Sequence, residues 1–286
     1  MNNGRRIGFI GLGAMGEPMA ANLAKAGWAP TVYDIRPEPL ERLEALGATV
    51  ATSASSLAEQ SDVVLVALVD DAQVRSALIG AAEPGVFDSL AKGSTVVVHS
   101  TIHPATCRQL ATLAAERGIG FLDAPISGGA NGAEAGTLAI MVGGDADTLA
   151  NVRDVLDAMA SNVFHVGGTG MGEVAKITNN VVLAVVLQGT FEGLRLAQWA
   201  GIDEATMLDI LRASAGESWV VRNWEAIQAM ADAHPQGRRG LARLTYKDLA
   251  IAQSIGHDVG APLPVTALAA QLVEQPLIPI EARETP

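Results

Sequence analysis

Residues 5–34 read RRIGFIGLGAMGEPMAANLAKAGWAPTVYD, and this stretch restricts the fold more than any other. RRIGFI is a short apolar strand signal. GLGAMG follows, and then Met19, Ala20, Leu23 and Ala24 recur at helical spacing until Gly27 stops the helix. APTVYD is a second strand, and its final residue, Asp34, stands about 20 residues beyond the glycine loop. A strand, a Gly-x-Gly-x-x-Gly turn, a helix and a strand ending in an acid form a dinucleotide-binding unit, in which each glycine has its own reason. Gly11 permits the tight turn, Gly13 lets the backbone approach a pyrophosphate, and Gly16 lets helix pack on strand, while the helix amino end offers N–H groups to the anion. Leu12 and Met15 complete the candidate cofactor loop. Asp34 can accept hydrogen bonds from an adenosine ribose and repels a 2′-phosphate, which favours NAD. Arg36, two residues on, could reach that phosphate, so NADP stays open.

The alternation continues through VVLVALV, a predicted helix near 72–80, the strand STVVVHS, a helix near 104–117 and the strand GFLDAPI. Such unbroken apolar runs suit a parallel sheet covered on both faces, hence a doubly wound α/β (Rossmann) domain. Loops at the carboxyl ends of its strands face the ligand, which nominates Leu68, Val69, Ser100 and Thr101. Capping of the next helix is the plainer reading of Ser100 and Thr101. Alternation stops after FLDAPISGGANGAEAGTLAIMVGG, SNVFHV is the last strand, and from about 170 helical periodicity takes over. The expected division is a dinucleotide-binding domain over 1–165 and an all-helical domain over 166–286 that starts with a long connecting helix. The change of period marks the boundary.

A chain of 286 residues, 49% hydrophobic and 17% charged, has length enough for two cores. Its net charge of -12 repels phosphate backbones and anionic lipid surfaces, so neither nucleic acid nor membrane is an expected partner. An anionic small molecule would need a local pocket. The single cysteine, Cys107, cannot form an internal disulfide and is read as packing, and no Cys/His spacing suits a metal. Four glycines interrupt the apolar start, so no leader is read, and the longest apolar run, 181–187, falls well short of the roughly 20 residues that span a bilayer. The cytoplasm is the expected compartment.

GGTGMGEVAKITNN, residues 167–180, poses a different problem: polar groups in a helix that continues as VVLAVVL. Lys176, Asn179 and Asn180 fall at i, i+3 and i+4, on one face. Either they form a solvated or buried hydrogen-bond cluster, or they are catalytic, because partial desolvation lowers a lysine's pKa and lets the amine exchange a proton.

GFIGLGAMGEPMAANL, DAPISGGANGAEAGTLAIMVGG, GGTGMGEVAKITNN and YKDLAIA, in that order, resemble the β-hydroxyacid dehydrogenase family, whose members include 3-hydroxyisobutyrate and tartronate semialdehyde dehydrogenases. The likeness runs over residues 6–272 and leaves out the tail after Gln275, expected to be disordered. It implies hydride transfer between NAD and a small β-hydroxy acid or its semialdehyde, with Lys176 as general acid/base and Asn180 orienting substrate. It implies that Ser127, Gly128 and Gly129 hold the substrate carboxylate, that Thr101 stands beside the nicotinamide, and that Lys247 touches cofactor with Asp248 as a brace. On pattern alone, Lys247 and Asp248 are helix-start charges. The chain departs from the family at His99, where acids are common, and at Leu241, where an aromatic often lines the pocket. Trp219 either reshapes that pocket as a substrate-binding residue or is an ordinary core tryptophan. Two other readings stay open: an NADPH-dependent imine reductase on the same scaffold, against which Lys176 argues, and a non-catalytic dinucleotide-binding protein. The apolar helices of the second half point to a homodimer or homotetramer.

Overall fold

The computed structural model describes residues 4–80, 83–234 and 236–277. The chain divides into two compact units, Met1–Lys176 and Ile177–Pro286. The first unit opens with β1 (Ile7–Ile10), α1 (Gly16–Lys25), β2 (Thr31–Tyr33), α2 (Pro37–Glu44), β3 (Thr49–Val50), α3 (Ala54–Glu59), β4 (Val63–Val66) and α4 (Asp71–Ile79). It continues with α5 (Val86–Ser89), β5 (Thr95–Val98), α6 (Pro104–Glu116), β6 (Gly120–Asp123), β7 (Ile126–Ser127), α7 (Gly129–Ala135), β8 (Leu138–Gly144), α8 (Ala146–Asp157) and β9 (Ala160–Gly167). The strands lie in the order β3-β2-β1-β4-β5-β6-β8-β7, with β9 paired to β8.

From β3 to β6 every pairing is parallel. The strands read as continuous apolar runs because successive side chains enter different cores. Ile7, Phe9, Val63, Leu65 and Val97 pack with Met19 and Leu23 of α1 on one face. Ile10, Val64, Val66, Val96 and Val98 pack with Val74 of α4 and Leu110 of α6 on the other. Cys107 is free and fully buried in this second layer, and burial pushes its thiol pKa up.

An all-parallel sheet does not hold beyond β6. β8 runs antiparallel to both β6 and β7. The stretch from Gly128 to Thr137 is too short for the crossover of a dozen or more residues that parallel pairing needs, so the chain turns back on itself. Alternation also persists further than SGGANGAEAGTLAIMV suggests, through α8 to β9, which returns parallel to β8.

α9 (Met171–Trp199) runs through the division between the units. The second unit adds α10 (Glu204–Arg212), α11 (Trp219–Arg222), α12 (Trp224–Ala233), α13 (Gly237–Val259), α14 (Pro264–Gln271) and a 3-10 turn, Gln275–Leu277. Phe191 and Leu194 of α9 pack with Leu208, Val220, Val221, Trp224 and Ile227 in one core, and Ala184 packs with Leu249, Ala269 and Ala270 in another. Of the tail, Pro276 and Leu277 are buried in the 3-10 turn rather than disordered, and 278–286 lie outside the described residues. By length and composition α9 is able to cross a bilayer, which its seven-residue apolar run does not reveal.

Candidate active site

The glycine loop follows β1, and each of its glycines meets a different constraint. Gly11 has φ +91°, and a Cβ there would stand 2.4 Å from the Ala67 carbonyl oxygen. A Cβ on Gly16 would stand 1.9 Å from the Gly11 carbonyl oxygen, a distance no side chain tolerates. Gly13 differs: nothing lies within 4 Å of its hypothetical Cβ. The backbone there faces open space, and no side chain caps the amino end of α1. An anionic pyrophosphate fits this cradle. Leu12 is buried and Met15 half-buried.

At the end of β2, the Asp34 carboxylate accepts hydrogen bonds from the Leu12 N–H (2.7 Å), the Arg36 N–H (2.9 Å) and Arg36 Nε (3.0 Å). Arg36 Nη2 also donates to the Leu12 carbonyl (2.9 Å). Burial alone would raise the Asp34 pKa, but these donors hold it below the usual carboxylate value. The acid and the arginine of the cofactor loop are thus one bonded pair.

At the ends of β4 and β5 the Leu68 N–H donates to the buried Ser100 Oγ at 2.7 Å, Val69 is exposed and Thr101 is half-buried. Neither Ser100 nor Thr101 caps the next helix. His103 is the N-cap of α6, its Nδ1 accepting from the Ala105 N–H at 3.1 Å. His99, fully buried, donates from Nδ1 to the Ala124 carbonyl at 2.7 Å, because a carbonyl can only accept. Burial lowers its pKa to about 4, so the ring is neutral. Gly11–Gly16, Asp34, Leu68 and Thr101 therefore share the carboxyl edge of the parallel sheet, as a doubly wound fold requires.

The sheet continues past β6 into Ser127, half-buried at the end of β7, and into Gly128 (φ +135°) and Gly129 (φ +65°), both exposed. Sequence reasoning missed two residues here. Asn22, buried on α1, donates to the Ala133 carbonyl at 2.7 Å and ties the cofactor helix to α7. Asp123, completely buried, accepts from the Gly170 N–H (2.7 Å) and the Glu173 N–H (3.1 Å) at the start of α9. Its only signal is an acid closing an otherwise apolar strand. Lys176, one turn beyond Glu173, is half-buried and belongs to the first unit.

In the second unit Asn180 Nδ2 donates to Asp248 at 2.7 Å, and Asn180 Oδ1 accepts from Asn179 at 3.1 Å. Lys247 Nζ lies 3.4 Å from Asp248 Oδ1. Both residues sit mid-way along α13, so the helix-start reading of this pair is wrong. Trp219 opens α11 and is 51% exposed, against 2% for Trp224, so it is not a core tryptophan. Leu241 packs on the larger helical core. Among the described residues no cluster of His, Cys, Asp and Glu could hold a metal ion.

Comparison with known proteins agrees with this fold. A family model described as the NAD binding domain of 6-phosphogluconate dehydrogenase matches residues 6–167, and one described as NAD-binding of NADP-dependent 3-hydroxyisobutyrate dehydrogenase matches 170–278. An NAD-dependent L-serine dehydrogenase of Pseudomonas aeruginosa is 39% identical over 94% of this chain and 91% of its own. A 3-hydroxyisobutyrate dehydrogenase of the same organism is 40% identical over 93% and 90%. The crystal structure of a 3-hydroxyisobutyrate dehydrogenase from Salmonella typhimurium superposes with TM-score 0.84 at 31% identity, covering 94% of this chain and 93% of that one. The chain belongs to the β-hydroxyacid dehydrogenase family, NAD(P)-dependent oxidoreductases that act on CH–OH groups.

Proposed function

We propose that the protein interconverts a small 3-hydroxy acid of the form HOCH2–CH(R)–COO⁻ and its semialdehyde, using NAD in preference to NADP. The substrates named for the two Pseudomonas relatives, 3-hydroxyisobutyrate and L-serine, share that skeleton and differ only in R. Gly11, Leu12, Gly13, Met15 and Gly16 would hold the pyrophosphate, Asp34 the adenosine ribose, and Leu68, Val69, Thr101 and Lys247 further parts of the cofactor. When bound, NAD supplies the hydride acceptor.

The chain's own residues divide the remaining work. Lys176 Nζ takes the proton from the substrate hydroxyl in oxidation and returns it in reduction, which a half-buried amine does more readily than a fully hydrated one. The Ser127 hydroxyl and the N–H groups of Gly128 and Gly129 hold the carboxylate, so that no arginine is needed. Asn180, its amide held by Asp248 and Asn179, presents its remaining N–H to the substrate. Trp219, exposed, bounds the group R. In domain terms, 1–165 supplies the dinucleotide cradle and the carboxylate loop, and 166–286 supplies Lys176, Asn180, Lys247 and the surfaces of assembly. The observation that carries this reading is one turn of α9, on which Lys176 and Asn180 share a face.

Exposed Val182, Leu183, Leu196 and Trp199 on α9, with Val265 and Leu268 on α14, support a homodimer or homotetramer. A monomeric mass by light scattering would reject it. NAD-linked turnover needs a compartment that holds the cofactor pool, which supports the cytoplasm. The direct test is NADH formation by the purified protein from 3-hydroxyisobutyrate, L-serine, glycerate and 3-hydroxybutyrate, each with NAD and with NADP. Turnover confined to cyclic imines with NADPH would overturn the reading.

A further inference from the structure

We propose that Asp123 is a positioning residue for Lys176: its carboxylate replaces the missing side-chain cap of α9 and sets where the catalytic turn begins. This rests on Lys176 acting as the acid/base. A helix leaves its first N–H groups unpaired, and an N-cap serine, threonine, asparagine or aspartate ordinarily supplies the acceptor. Here the N-cap position is Gly170, with φ +89°, whose carbonyl accepts from the Val174 N–H at 3.1 Å and which has no side chain to offer. Asp123 fills that role from the end of β6. One oxygen takes the Gly170 N–H and the other the Glu173 N–H. Burial pushes the Asp123 carboxyl pKa up, while these N–H donors and the positive end of the helix favour its charged form.

The surroundings are shaped around this contact. A Cβ on Gly143 would stand 2.7 Å from both carboxylate oxygens, and one on Gly172 would stand 2.8 Å from one of them. Glycine at these two positions lets the carboxylate lie flat against the helix start. Asp123 is itself held in place, because the next residue, Ala124, donates its N–H to the Val98 carbonyl (2.7 Å) and accepts from His99. The chain then runs on through Pro125 into β7, which ends at Ser127. Asp123 thus ties the turn that carries Lys176 to the segment that carries the carboxylate-binding loop, and it is itself completely buried.

The test compares Asp123→Asn and Gly143→Ala with Lys176→Ala and with the double variant Asp123→Asn/Lys176→Ala, all in the full chain with NAD and 3-hydroxyisobutyrate. Asp123→Asn removes the charge and turns an amide N–H₂ toward N–H donors. Gly143→Ala drives a methyl against the carboxylate while leaving Asp123 and Lys176 intact. Both are expected to lower kcat by about tenfold to a hundredfold, the range a small misplacement of a catalytic group costs, with KM and NADH affinity within about threefold of the parent. On the Lys176→Ala background, Asp123→Asn should lower the residual rate by less than about twofold, because the group it positions is gone. Undiminished loss on that background, parental kcat in both folded single variants, or failure of both to fold would overturn the proposal in favour of a purely structural role. Parental turnover by Lys176→Ala would instead sink the assignment of Lys176 itself.

Discussion

Gly13→Ala separates cofactor binding from folding, because Gly13 is the glycine of the loop that no protein atom requires. Nothing lies within 4 Å of the added methyl, and the backbone φ is not in the left-handed region, so the folded protein should accept alanine without strain. Loss of glycine's freedom in the unfolded chain should even add about 0.4–1 kcal/mol of stability. The methyl instead occupies the open space proposed for the pyrophosphate. A tenfold weaker NADH complex corresponds to about 1.4 kcal/mol. At an NADH concentration of about 100 times the parent Kd, ligand stabilisation is about 2.7 kcal/mol, and a tenfold weaker variant would retain about half of that. The difference should appear as roughly 3 °C less NADH-induced rise in Tm, on top of an apo Tm equal to or above the parent's. Gly16→Ala, whose methyl would meet the Gly11 carbonyl at 1.9 Å, should lower the apo Tm itself. An unchanged NADH-induced rise in Gly13→Ala would show that the cofactor does not lie over this loop.

Three other outcomes follow from the bonded groups. Asp34→Ala should release Arg36 from its carboxylate partner and move the ratio of kcat/KM for NAD over NADP toward NADP by about tenfold or more, since the repelling charge is gone and a guanidinium is free for a 2′-phosphate; an unmoved ratio would remove Asp34 from the ribose site. Asp248→Ala should raise the hydroxy-acid KM by about tenfold through loss of the bond that orients Asn180, and an unchanged KM would remove Asp248 from that role. His99 is neutral in the fold with its pKa lowered to about 4, whereas the unfolded imidazole takes its proton near 6.5, so acid favours the unfolded chain between those values. Its contribution is complete above pH 6.5 and falls by up to about 3 kcal/mol as the pH drops to 4; His99→Gln should therefore show a shallower fall of Tm across that window, and parallel curves would refute the buried neutral ring.

Much of the first unit was legible because its signals are local. β1, β4 and β5 are apolar on both faces, and GLGAMG is a short local spacing, although the atoms that require its first glycine belong to Ala67 and Leu68. The helix that carries Lys176, Asn179 and Asn180 was equally plain from its period. What escaped depends on distant pairings. The antiparallel return of β8 follows from a short link between two weak strands, and ISGG gives no periodic sign of it. Asp123 and Asn22 take their meaning from backbone groups 47 and 111 residues away, which no window along the chain contains. The pairing of Asp34 with Arg36 is two residues apart and still unreadable, because i, i+2 spacing at a strand end does not say whether an arginine turns to its neighbour or to solvent. Lys247 and Asp248 were misplaced for a related reason: nothing in ARLTYKDLAIA marks that the helix began ten residues earlier, at Gly237.

The most direct measurement is the initial rate of NADH formation from 3-hydroxyisobutyrate and from L-serine by the parent protein and by Lys176→Ala, with thermal melts to show that both are folded. The expected result is turnover of at least one of the two acids by the parent and a loss of roughly two to four orders of magnitude in the variant. A folded Lys176→Ala that turns over at the parental rate would contradict the role given to the amine.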